Sequence, residues 1–89
     1  MIYSYFIHPK CSKEINKACS KNPILRKVLT NKIKEIIVSP FRYKHLRHDL
    51  AGEMRVHILK SFVLKFEVDD NKIVVNFLAF EHHDNAYKR

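Results

Sequence analysis

The stretch from Leu46 to Tyr87, LRHDLAGEMRVHILKSFVLKFEVDDNKIVVNFLAFEHHDNAY, decides the fold. It contains three strand-like segments, and in the first two apolar residues recur at every second position. From Glu53 to Lys60, Met54, Val56 and Ile58 fall on one face, and Glu53, Arg55, His57 and Leu59 on the other. From Phe62 to Val68, Phe62, Leu64, Phe66 and Val68 alternate with Val63, Lys65 and Glu67. Strand side chains point to opposite faces in turn, so each segment has one apolar face and one face able to carry chemistry. Ile73 to Phe80 is apolar at nearly every position, as a central strand covered on both sides would be.

The links between these segments are short. Ser61 alone separates the first two, and Asp69, Asp70 and Asn71 separate the next two. Asp and Asn favour turns because their side chains bond nearby backbone and tolerate left-handed conformations. The segments therefore form an antiparallel meander. Arg55 and His57 share one face of its first strand. His82 and His83 end its last strand, and Tyr87 follows four residues after His83. Imidazoles and cations at the ends of adjacent strands point to a phosphate-handling site.

The 89 residues make one domain, 1–89, and 46% of them are apolar, enough for a small core without staples. No apolar run approaches the ~20 residues of a membrane-spanning helix. The opening IYSYFIHPK is too short and polar for a signal peptide, so a cytoplasmic protein with no membrane partner is expected. Lys and Arg number 17 against 9 Asp and Glu, a net charge of +8. Such an excess on a small domain favours a polyanionic partner, either nucleic acid or an acidic protein segment. Cys11 and Cys19, eight residues apart on one helix, would be separated by about 12 Å of rise, beyond a disulfide's reach. They share an apolar stripe with Ile15 and Ala18 and are expected as buried free thiols. His8, Cys11 and Cys19 lack the paired spacing of a zinc site, and no metal or other cofactor is expected.

Upstream, Ile2 to His8 has the aromatic content of a first strand, ended by Pro9. Residues 12–21 carry a helical stripe, with Lys13, Lys17 and Lys21 facing water. Asn22 and Pro23 are a helix-start signal, since Asn caps and Pro suits the first helical position. The second helix is expected over residues 24–38, with Leu25, Val28, Leu29, Ile33, Ile36 and Ile37 on one side and Ser39-Pro40 as its stop. Phe41 to Leu50 is a basic connector holding Arg42, Lys44, His45, Arg47 and His48, and Gly52 precedes the next strand. The order is β-α-α-β-β-β, an α+β domain with a helical hairpin packed on an antiparallel sheet. Arg55, His57, Lys65, Asn76 and His82 are expected on the sheet face away from the helices.

With these elements in place, the chain resembles the RelE/ParE toxin superfamily of type II toxin–antitoxin systems. The element order matches, as does LRHDLAGEMRVHI leading into a cationic strand, which is similar to the YoeB and YafQ branches. FVLKFEVDD resembles the family's aromatic-apolar strand with its acidic turn, and EHHDNAY its closing histidine or arginine with an aromatic. The resemblance covers nearly the whole chain. It implies a RelE-like toxin fold and a ribosome-associated messenger-RNA endonuclease held silent by an acidic antitoxin, with a heterotetramer among the assemblies it allows. It also implies residue roles. His57 falls on the catalytic histidine of YafQ-like members, His83 on the closing histidine or arginine, Tyr87 on the terminal aromatic, and Arg55 near the basic residues that hold phosphate. Some positions depart from the pattern. Val63 stands where many members have an arginine, Ser61 where YafQ-like members have an aspartate, and Lys44 beside His45 where YoeB-like members have a glutamate base. A non-cleaving member, acting by protein binding as ParE-type gyrase poisons do, is the alternative these departures leave open.

The chemistry explains why such residues would be wanted. An RNA 2′-oxygen can attack the adjacent phosphorus, given a base for its proton, an acid for the leaving 5′-oxygen, and positive charge near the phosphate. Histidine serves as base or acid near neutral pH, and lysine and arginine supply the charge. His57 and His83 form the best acid–base pair, with His82 as substitute for the second. The sequence does not choose between the adjacent histidines. Arg55, Lys60 and Lys65 are candidates for phosphate contact, joined by Lys44, His45, Arg47 and His48 of the connector. Tyr87 could stack on a base or donate a proton.

Overall fold

Pro9 and Pro23 each open a helix. The structure, a computed structural model, describes residues 2–42 and 53–83. Within them α1 spans Pro9–Cys19 and α2 spans Pro23–Val38. The first helix therefore begins three residues before the expected Ser12. Proline lacks an N–H, which the first helical position leaves unbonded in any case. Pro9 thus ends the strand and starts the helix, and the Ser12 N–H donates to the His8 carbonyl at 2.9 Å. α1 stops at Cys19, short of the expected Lys21, because Asn22 closes the turn: its N–H donates to the Cys19 carbonyl at 3.1 Å. Its side-chain Oδ1 then accepts the Leu25 N–H at 3.0 Å, capping α2 as expected.

The strands are β1 (Ser4–Ile7), β2 (Met54–Ile58), β3 (Phe62–Asp69) and β4 (Val74–His82), ordered β1-β4-β3-β2 in one sheet. A short 3-10 turn, Pro40–Arg42, follows α2. β2, β3 and β4 form the antiparallel meander. β1 differs from expectation and runs parallel to β4, with Ser4 opposite Val74 and Ile7 opposite Phe77. The helices account for this direction. α2 ends beside the start of β1, where the Tyr3 N–H donates to the Ile37 carbonyl at 2.8 Å. β2 runs in the direction of β1, and β4, two reversals later, runs the same way.

β4 also contains an irregularity that decides which side chains face the helices. Lys65 pairs with Ala79, but the next residue, Phe66, pairs with Phe77, so Leu78 is an extra residue with no opposite number. One extra residue inverts the alternation beyond it. Val75, Phe77 and Phe80 all reach the core although their spacing is not even throughout. The sequence placed His82 in phase with Asn76, on the face away from the helices. The bulge overturns this, and His82 pairs with Phe62 on the helix side.

The helical stripes and the inner sheet face form one core, with Leu25, Leu29, Ile36, Met54, Phe66 and Phe77 almost wholly buried. Cys11 and Cys19 are buried free thiols, as expected. Burial pushes the Cys11 thiol up to about 12 and raises Cys19 as well. β1 ends opposite Phe77, which leaves the outer edge of β4 beyond it without a strand neighbour. Glu14 of α1 fills that gap, its Oε1 accepting the Phe80 N–H at 3.0 Å. At the far end of the sheet the Tyr3 hydroxyl donates to Asp70 Oδ1 at 2.9 Å. None of the helices described is long and apolar enough to cross a membrane.

Leu59 and Ile73, which border the two hairpin turns, have φ of 56°. A side chain with a Cβ costs ~1–2 kcal/mol in this region. Leu59 is 50% exposed, so its side chain gains little from burial. Leu59→Gly should therefore raise stability by ~0.5–1 kcal/mol, after the extra unfolded-state entropy of glycine is subtracted. The midpoint of urea unfolding reads this directly, and a lower midpoint would contradict the argument.

Candidate functional site

The outer face of the sheet is built in rows. Arg55, Lys65 and Ala79 stand opposite one another across β2, β3 and β4, and His57, Val63 and Glu81 form the next row. His83 lies just past β4, where its N–H donates to the Ser61 carbonyl at 2.6 Å and extends the ladder by one bond. This places the His83 ring against His57, with centroids 5.3 Å apart and planes tilted by 32°. Of the two adjacent histidines it is therefore His83 that meets His57. His82 points the other way, edge-on to Phe62 at 5.6 Å. It opens onto a cavity of about 390 Å³ between α1 and the sheet end, lined also by Glu14, Lys17, Ala18, Phe80 and Glu81.

The cations of this face are paired with carboxylates. Arg55 Nε lies 2.7 Å from Glu53 Oε2. Lys65 Nζ lies 2.6 Å from Glu81 Oε1, with Lys10 of α1 behind it at 3.6 Å from Glu81 Oε2. Burial alone would raise the Glu81 carboxyl, but the Lys65 ammonium, helped by Lys10, outweighs it and holds the group below the usual carboxylate range. Val63, expected on a face that carries chemistry, is wholly buried between His57 and Glu81 and forms an apolar floor. Lys60 is exposed in the β2–β3 turn. Lys44, His45, Arg47, His48 and Tyr87 lie outside the described residues. Sequence reasoning overlooks Glu53 and Glu81. A carboxylate inside a strand that ends in two histidines is the signal for Glu81, but its partner Lys65 is identifiable only from the strand register. Among the described residues no group of three His, Cys, Asp or Glu side chains could hold a metal ion.

No family model matches the chain. A protein of Methanocaldococcus jannaschii described as a candidate toxin, RelE4, is 43% identical over 88 residues, covering 99% of this chain and 94% of its own length. The chain belongs to the RelE toxin superfamily. An uncharacterized protein of Methanosarcina mazei is 33% identical over 86 residues, 97% of this chain and 100% of its own. Solved RelE-type structures share the fold. The toxin–antitoxin complex RelBE2 of Mycobacterium tuberculosis contains a chain with TM-score 0.75 and 23% identity, over 93% of this chain and 100% of that one. A free RelE toxin variant of E. coli has TM-score 0.77 and 21% identity, over 97% and 88%. The E. coli DinJ–YafQ complex follows with TM-score 0.71 and 12% identity, over 97% and 99%. Two helices on a four-stranded mixed sheet are thus the RelE fold, and the His57–His83 pair sits on the sheet face of this RelE-type chain that the helices leave open.

The Glu81 pairing makes a pH prediction. Its folded-state value lies below the ordinary 4.5, so its contribution to stability is complete above that value. The contribution is lost as pH falls through the depressed folded value. Melting temperatures followed from about pH 6 to 3 should drop, and Glu81→Gln should remove part of that slope. Parallel pH curves for the two proteins would count against the pairing.

Proposed function

We propose that this RelE-family chain is the toxin of a toxin–antitoxin pair and cuts messenger RNA on the ribosome, with His57 and His83 as its acid–base pair. The contact between the two imidazoles, 5.3 Å between centroids on an open sheet face, carries the proposal. In-line attack by a 2′-oxygen needs one group to take a proton and another to give one on opposite sides of a single phosphate. Two facing histidines supply both. One accepts the 2′-hydroxyl proton while the other protonates the departing 5′-oxygen, leaving a 2′,3′-cyclic phosphate and a 5′-hydroxyl. Arg55 and Lys65, in the neighbouring row, supply positive charge to the phosphate as its negative charge grows. Lys60 at the turn is placed to meet the RNA backbone. Action on translated messages puts the protein in the cytoplasm.

The proposed silencing partner is an acidic antitoxin. The solved relatives in complex with antitoxins support it, and so does a groove of about 410 Å³ on the helix side of β1, lined by Tyr5, Ile7, Leu29, Ile33 and Ile37 with Arg26 and Lys34. Tyr5 and Phe6 are about half exposed on the edge strand beside it. An acidic segment with alternating apolar side chains suits such a strand edge and its flanking cations. Its association rate should fall steeply as salt rises, and a rate flat across salt would contradict the charge argument.

A second reading, a toxin that acts by binding alone, draws on one observation. The centre of the histidine row is the buried apolar Val63, which supplies no charge of its own. Cleavage mapping by primer extension on translating ribosomes separates the two. His57→Ala and His83→Ala should each lower cleavage by ~10²-fold or more. His82→Ala should cost far less, since its ring lies on the other side of the sheet, and Arg55→Ala should weaken cleavage without removing a proton-transfer group. Undiminished cutting by both His57→Ala and His83→Ala would sink the acid–base assignment.

A further inference from the structure

We propose that Glu81 is a positioning residue: its carboxylate draws the Lys65 ammonium out of its own row and holds it in the row of the catalytic histidines. This rests on the cleavage proposal above and adds a residue to it. Lys65 is directly opposite Arg55, an arrangement in which like charges repel. Glu81 stands one row on, across from Val63, and Val63 from His57. Rows on one face of a strand are about 6.6 Å apart. With Nζ at 2.6 Å from Oε1, the Lys65 charge is tied to a carboxylate that stands in the row of His57, while Ala79, its own partner on β4, lies one row back. Val63 has no polar side-chain atom to compete for it.

Glu81 is itself held. Lys10 lies 3.6 Å from its other oxygen and 2.9 Å from Glu14 Oε2, and Glu14 Oε1 accepts the N–H of Phe80, the residue before Glu81. The chain Lys65–Glu81–Lys10–Glu14 closes on the backbone of β4, so α1 braces the carboxylate from behind. Lys10 also offsets the Glu81 charge, so that the Lys65 ammonium is not simply cancelled. A charge already fixed in place stabilises a developing phosphate charge without reorganising during the reaction. An untethered lysine spreads the same charge over the rotamers of a flexible four-carbon stem.

The test is a double-mutant cycle on cleavage of one message by translating ribosomes, with kcat and KM measured for the parent, Glu81→Gln, Lys65→Met and the double variant, and melting temperature as a fold check. Each single change should lower kcat by about 10-fold and leave KM within about twofold, as expected when a transition-state contact is lost. The double variant should be no slower than Lys65→Met, because Glu81 acts through Lys65. Lys65→Arg should recover part of the rate when Glu81 is present and not beside Glu81→Gln. If Glu81→Gln fails to fold, Glu81→Asp, which keeps the charge but shortens its reach, takes its place in the cycle with the same expectations. Parental kcat in the Glu81 variant, or losses that multiply in the double, would overturn the positioning role while leaving the cleavage proposal standing. A parent that cuts no message would overturn both.

Discussion

Everything distinctive about this molecule depends on the hydrogen-bond register between β3 and β4. The extra residue at Leu78 lets β4 begin in one phase and end in the other. Before it, Val75 and Phe77 fill the core. After it, Phe80 does the same while Glu81 and His83 turn outward. Without that inversion the last turn of the strand would present His82 and Phe80 to solvent and bury a carboxylate under the helices. Burying an ionised carboxylate among apolar side chains is costly unless it is paired. The bulge therefore satisfies the core and brings Glu81 and His83 to the outer face in one step.

The charge distribution follows a similar division. On the outer sheet face Arg55 and Lys65 have Glu53 and Glu81 as close partners, so this face is locally balanced. Much of the excess that gives the chain +8 is on the helices and the turn between them, where Lys13, Lys17, Lys21, Arg26, Lys27 and Lys34 are exposed. Exposed charge of one sign acts at a distance, raising encounter rates with a polyanion. Paired charge acts at contact, where its position matters more than its sum.

Much of this was legible in the sequence. The meander, both helices and their buried stripes follow from period-2 and period-3.6 patterns, and the strand order brings His57 and His83 together at one end of the sheet. What was not legible has physical causes. In the run Phe77, Leu78, Ala79, Phe80 every residue is apolar, so parity along it is undetermined and the change of phase leaves no trace. β1 is four residues long and mostly exposed, so no face pattern revealed its partner or its direction. Glu81 and Lys65 are 16 residues apart, and only the strand register shows that they meet. Pro9 could be seen to end a strand, but a proline does not announce that it also begins a helix when no capping side chain precedes it.

The parallel seat of β1 beside β4 has a consequence in time. Ser4 finds its partner only at Val74, and the Tyr3 hydroxyl finds its acceptor only at Asp70. Contacts so far apart in the chain close late, after the loop entropy between them has been overcome. β1 leaves the ribosome before β4 and thus waits for it, and His57 waits with it for His83. A nascent chain that stops before Val74 has an unpaired β1, an incomplete core and half of the histidine pair. The order in which the strands are synthesised thus withholds the His57–His83 pair until β4 and His83 have emerged.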